Sequence, residues 1–161
     1  MTPEEYIIAC ERTINRDLTP EQQLQAQYLG LAVEAGEVAG VIKAHLYQGK
    51  ELDREALLLE CGDVLWSLAN IYRIRGWEFA GEHQKIDDAD KWAALFGRTW
   101  IDKPRILIKF ASLSDYKTDI SEVFRAIGSI LGVAGFSIEQ AMEANVAKLR
   151  ERYPEGFEVK D

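Results

Sequence analysis

Apolar residues recur along much of this chain at three- and four-residue steps, the period of an amphipathic helix. Leu24, Tyr28, Leu31, Val38, Val41, Ile42 and Leu46 trace one stripe over residues 20–47. Leu57, Val64, Leu65, Leu68, Ile71 and Tyr72 trace a second over 54–75. Thr19-Pro20-Glu21-Gln22 places a capping threonine before a proline, with Gln at the third helical position. That is a capping box with proline in the first turn, where its missing N–H is no loss. Asp53 is placed to cap the second helix. Gly49 and Gly76 follow the two stripes and supply the left-handed residue that ends many helices. The capping box also opens the chain at Thr2-Pro3-Glu4-Glu5 and recurs without proline at Ser137-Ile138-Glu139-Gln140. A last helix is expected over 138–153, ahead of Pro154.

About five residues join the two long helices, so these should lie antiparallel. The expected fold is an all-α antiparallel helical bundle. It forms a single domain over 1–161, with an inserted helical segment near 77–134. Within that segment the pattern suggests a short helix near 89–97 and another over 104–114. Ile106-Leu107-Ile108-Lys109-Phe110 has strand-like composition, but no second strand is present to pair with it. One internal likeness stands out. Asp63-Val-Leu-Trp-Ser-Leu-Ala-Asn-Ile, followed by Gly76-Trp, resembles Glu122-Val-Phe-Arg-Ala-Ile-Gly-Ser-Ile, followed by Gly135-Phe. Both describe a helix ending in glycine plus an aromatic, from shared core periodicity or from duplication.

Composition narrows the classes. With 161 residues, 47% hydrophobic and 29% charged, the chain can bury one core and is not disordered. A formal charge of −8 argues against a polybasic nucleic-acid or membrane-surface protein. Two cysteines, Cys10 and Cys61, are too few for a disulfide framework and read as small core residues in a reducing compartment. The N-terminal segment lacks signal-peptide character, and no apolar run is long enough to span a bilayer. The expectation is a soluble cytoplasmic protein without nucleic-acid or membrane partners.

The charge is not evenly spread. Glu34 and Glu37 lie three apart in the first long helix, and Glu60 and Asp63 lie three apart in the second. Residues three apart share a helix face. Leu31 and Val38 flank the first pair; Leu59 and Val64 flank the second. Counted from the connecting turn, Glu37 and Asp63 are at comparable heights, so the hairpin can bring four carboxylates together. Ionised acids gathered in a partly apolar groove repel one another. A hard divalent cation such as Mg²⁺ resolves that conflict and commonly completes its shell with waters and substrate phosphates. For either pair alone, a solvated acidic face is the better reading; for two pairs on adjacent helices the metal is favoured. A di-iron bundle needs Glu-x-x-His motifs. His45 and His83 follow neither pair at that spacing.

These residues resemble a known family. Gly30-Leu-Ala-Val-Glu34-Ala-Gly-Glu37-Val-Ala, then Glu60-Cys-Gly-Asp63-Val-Leu-Trp66, is similar to the Glu-x-x-Glu, spacer, Glu-x-x-Asp pattern of the MazG-like all-α nucleoside triphosphate pyrophosphohydrolases. Asn145-Val-Ala-Lys148-Leu-Arg-Glu-Arg152-Tyr153-Pro154-Glu-Gly-Phe157 resembles the closing motif of their short members. The likeness covers about residues 20–76 and 135–157, roughly half the chain.

The resemblance implies that Glu34, Glu37, Glu60 and Asp63 bind Mg²⁺, with Mn²⁺ as a substitute. It implies hydrolysis of a nucleoside triphosphate to the monophosphate and pyrophosphate, by a homodimer or homotetramer. Lys148 and Arg152 lie four apart on the last helix and are candidates to hold phosphate oxygens. Lys43 is a further cation candidate, although all three also fit snorkelling surface residues. Asn145 is placed to hydrogen-bond the sugar or base, or to cap a neighbouring helix. Asn70, one heptad after Asp63, is a weaker candidate of the same kind. Trp66 can stack on a base, or simply fill the core. Val33 and Ser67 depart from the common pattern, as does the nearly sixty-residue insertion that carries Trp77, Trp92 and Trp100. Two rival functions remain: a non-catalytic helical interaction protein, and a hydrolase of an alarmone or other nucleotide derivative.

Overall fold

The structure, a computed structural model, describes residues 1–79 and 117–157. Five helices lie among them: α1 (Pro3–Glu11), α2 (Pro20–Tyr47), α3 (Arg54–Arg75), α4 (Lys117–Ala134) and α5 (Ile138–Arg152). No strand is found among the described residues, so the fold is all-α as expected. The helices expected near 89–97 and over 104–114, with Trp92 and Trp100, lie outside the described residues.

The helix starts follow local chemistry. In each capping box the hydroxyl accepts from the third helical N–H while that residue's side chain accepts from the cap N–H. The distances are 3.2 and 2.7 Å at Thr2, 3.3 and 2.9 Å at Thr19, and 3.2 and 2.8 Å at Ser137. Asp53 caps α3 by accepting from the Ala56 N–H at 2.9 Å. Each such cap contributes about 1 kcal/mol.

Helix α3 is the centre of the bundle and packs on α1, α2, α4 and α5. It is accordingly buried on nearly every side, through Leu57, Cys61, Val64, Leu65, Leu68 and Ile71 among others. Helix α2 is an outer helix and buries one stripe only, Gln27, Leu31, Ala35, Val38 and Ile42. Two close approaches set the packing around α3. A Cβ on Gly62 would meet the Ala141 carbonyl oxygen and the Asn145 Cβ at 2.9 Å, so α3 and α5 cross with backbones nearly touching. On the other side, a Cβ on Gly30 would lie 3.4 Å from Ser67 Oγ. The small Ser67 thus leaves α2 free to lie close.

The internal likeness seen in the sequence extends to geometry. Gly76 and Gly135 are both left-handed, with φ of 66° and 79°. The following aromatic N–H then reaches back five residues: Trp77 to the Tyr72 carbonyl and Phe136 to the Leu131 carbonyl, both at 2.9 Å. This is the Schellman closure, which satisfies carbonyls that the helix end would leave unpaired. Arg54, at the start of α3, donates to the Ala134 carbonyl at 2.6 Å and sits 5.2 Å over the Phe136 ring. The chain just beyond α3 joins the core directly. Trp77 and Phe79 meet the Tyr72 ring edge-on at 5.6 and 5.3 Å, and Phe79 meets Phe124 at 5.6 Å.

Both cysteines are free and buried, as core residues should be. Burial pushes the Cys10 thiol up to about 12 and raises Cys61 as well. Neither is a ready nucleophile. No single helix among the described residues is long and apolar enough to cross a membrane.

Candidate active site

The antiparallel α2–α3 hairpin gathers acids from both helices. Carboxylate oxygens of Glu34, Glu37 and Glu60 lie within 4.8 Å of one another. Glu34 and Glu60 are partly buried, whereas Glu37 is exposed. Burial is the largest influence on Glu34 and raises its pKa to about 7; the charges of Asp63, Glu37 and Glu60 and a hydrogen bond with Glu37 push the same way. Glu60 is also raised, first by burial, then by Glu37, with Lys148 opposing. The donor set is all carboxylate oxygen, the chemistry that suits Mg²⁺ or Mn²⁺. The upward shifts at Glu34 and Glu60 follow from crowding carboxylates in a partly buried place.

Asp63 stands apart from that trio. Lys148 donates to its Oδ2, and the Asn145 amide donates to its Oδ1 at 2.8 Å. Burial disfavours the Lys148 ammonium, but the hydrogen bond to Asp63 and the charges of Asp63, Glu60 and Glu34 outweigh it and leave its pKa raised. Lys148 is therefore a fixed cation at the edge of the acidic cluster. Asn145 is completely buried and is held in turn by Tyr6, whose hydroxyl lies 2.9 Å from Asn145 Oδ1 and 3.2 Å from the Gly62 carbonyl. Sequence reasoning missed Tyr6. In Pro3–Glu11 it reads as an ordinary core aromatic, and nothing local indicates a partner 139 residues away.

A cavity of about 170 Å³ opens beside these groups, lined by Glu34, Asp63, Trp66, Lys148, Arg152 and Tyr153 among others. Charged Glu34, Asp63, Lys148 and Arg152 share its lining with Trp66, Leu149, Tyr153 and Phe157. Trp66 is fixed there because its indole N–H donates to Thr13 Oγ1 at 3.0 Å, and Thr13 donates onward to the Cys10 carbonyl at 3.0 Å. Arg152 lies 5.4 Å over the Tyr153 ring.

The remaining sequence candidates are placed differently. Asn70 is buried with its amide N–H on the Trp66 carbonyl at 3.0 Å and its oxygen facing Arg73 at 3.5 Å. It acts as a packing group beneath Trp66. Lys43 is exposed and does not line the cavity. Six residues separate it from Glu37, which puts the two about 120° apart around α2. His45 faces the Lys50 carbonyl at 3.0 Å, consistent with a role at the end of α2. The trio, Asp63, Trp66, Asn145, Lys148 and Arg152 are thus brought to one place.

No protein family, curated protein or solved structure matches the chain.

Proposed function

We propose that this chain hydrolyses a nucleoside triphosphate, cleaving between the α- and β-phosphorus to release the monophosphate and pyrophosphate. The observation that carries this reading is the convergence of three carboxylates from two helices near a fixed ammonium, with Glu34 and Lys148 lining a cavity that also holds Trp66 and Tyr153. Glu34, Glu37 and Glu60 would hold Mg²⁺, with Asp63 alongside. When bound, Mg²⁺ supplies charge neutralisation for the polyphosphate and a more acidic water. The protein's own groups do the rest. Lys148 and Arg152 face phosphate oxygens as point charge and planar fork. A carboxylate of the same cluster would orient the attacking water or accept its proton. The Trp66 face offers the base a stacking surface.

Screening canonical, deoxy- and modified nucleotides for pyrophosphate release, with Mg²⁺ or Mn²⁺, tests the activity and separates it from hydrolysis of an alarmone by the products formed. Glu37→Gln and Asp63→Asn should each abolish turnover while the helical circular dichroism persists. Full activity in either variant refutes the site assignment.

A further inference from the structure

The hydrogen bonds behind the acidic cluster form a continuous path that the proposed chemistry does not itself require. Tyr6 and Asn145 are each 0% exposed, so neither side chain is bonded to bulk water. A buried amide without partners at both ends costs stability, so the surroundings dictate which way it points. The nearer of the two acceptors around the Tyr6 proton is Asn145 Oδ1, at 2.9 Å against 3.2 Å for the Gly62 carbonyl. With Oδ1 engaged, the amide N–H of Asn145 faces Asp63 Oδ1 at 2.8 Å. The reversed amide would set its oxygen against a carboxylate oxygen. The other Asp63 oxygen receives Lys148, so both oxygens of that carboxylate are held. The close α3–α5 approach at Gly62 sets how deeply Asn145 sits.

We propose that Tyr6 is a positioning residue for the acidic centre, acting through Asn145 to fix the plane of the Asp63 carboxylate and, with it, the Lys148 ammonium. This rests on the functional reading above, and Tyr6 touches neither substrate nor metal in it. Its hydroxyl engages the Asn145 oxygen while Asp63 engages the nitrogen, so the amide is held at both ends. Partners behind a ligand commonly matter about as much as 10–100-fold in metal affinity or activity.

Tyr6→Phe keeps the buried ring and removes the hydroxyl. It should leave the helical spectrum intact and weaken Mg²⁺ binding, measured calorimetrically with the metal alone, by about tenfold. The side-chain amide protons of Asn145 should exchange with solvent at least about tenfold faster by NMR, a change that general destabilisation of the core does not confine to one residue. Val123→Ala, a core truncation in α4 away from this path, should change neither quantity. Unaltered Mg²⁺ affinity and unaltered Asn145 exchange in Tyr6→Phe would overturn the proposal, as would an equal loss in Val123→Ala. A wild-type protein that takes up no Mg²⁺ overturns the functional reading and this inference together, whereas wild-type binding with an unaffected Tyr6→Phe overturns only the latter.

Discussion

Replacing Glu34 by Gln should make the protein's stability less sensitive to pH, by an amount the site itself indicates. Glu34 moves from an ordinary 4.5 to about 7 in the folded chain, burial being the main cause. A raised carboxyl pKa means that the folded state binds the proton more tightly than the unfolded state. Its stabilising contribution is therefore complete below about pH 4.5 and is lost as pH rises towards 7. The full shift corresponds to at most about 3 kcal/mol. Glu34 is only half-buried, and solvent screening reduces that to about 1–2 kcal/mol. At roughly 2–4 °C per kcal/mol for a chain of this size, the metal-free wild type should lose about 2–8 °C relative to Glu34→Gln between pH 5 and pH 8. Mg²⁺ binds the ionised form, so it should restore the loss at about pH 8 and do little near pH 5. Differential scanning fluorimetry of both proteins, with chelator and with Mg²⁺, gives all the comparisons. Parallel melting curves for the two metal-free proteins across that range would refute the reasoning, as would equal stabilisation of both by Mg²⁺.

Gly62→Ala should destabilise the fold by about 1–2 kcal/mol despite alanine's better helix propensity, because the new methyl meets the Ala141 carbonyl oxygen at 2.9 Å. It should also lower Mg²⁺ affinity by displacing Asn145; chemical denaturation and calorimetry check the two effects. Leu29, Val33 and Tyr47 leave large apolar side chains exposed on α2, and the expected homodimer would bury such a face. Light scattering after size exclusion should return at least the dimer mass for the wild type and a monomer for Leu29→Glu combined with Tyr47→Glu; a wild-type monomer refutes this.

Much of the bundle is written locally. The three capping boxes, the Asp53 cap and the glycine stops lie within a few residues of the groups they serve, so the chain pattern is enough to locate helix ends. The acidic cluster was also legible, because two pairs spaced by three on neighbouring helices have few other arrangements. What spacing does not reveal is how the four acids divide. Three converge on one another, while Asp63 turns to Lys148 and Asn145, a choice made by contacts 85 and 82 residues away in sequence. Asn70 shows the same limit from the other side. Its heptad relation to Asp63 places it on the right face, yet the Trp66 carbonyl and Arg73 engage it inside the core. Lys43 follows Glu37 closely in sequence, but helical rotation carries it away from the cavity.

The path from Tyr6 through Asn145 to Asp63 joins the first helix, the central helix and the last one. Contacts of such long sequence separation form late, after the entropy of closing the intervening chain has been met. A growing polypeptide that has completed only α1, α2 and α3 would hold the carboxylates without the ammonium that balances them. Competence of the centre would then arrive in a single step with α5, and shortened chains ending before it would expose an uncompensated acidic groove instead of a weakened one.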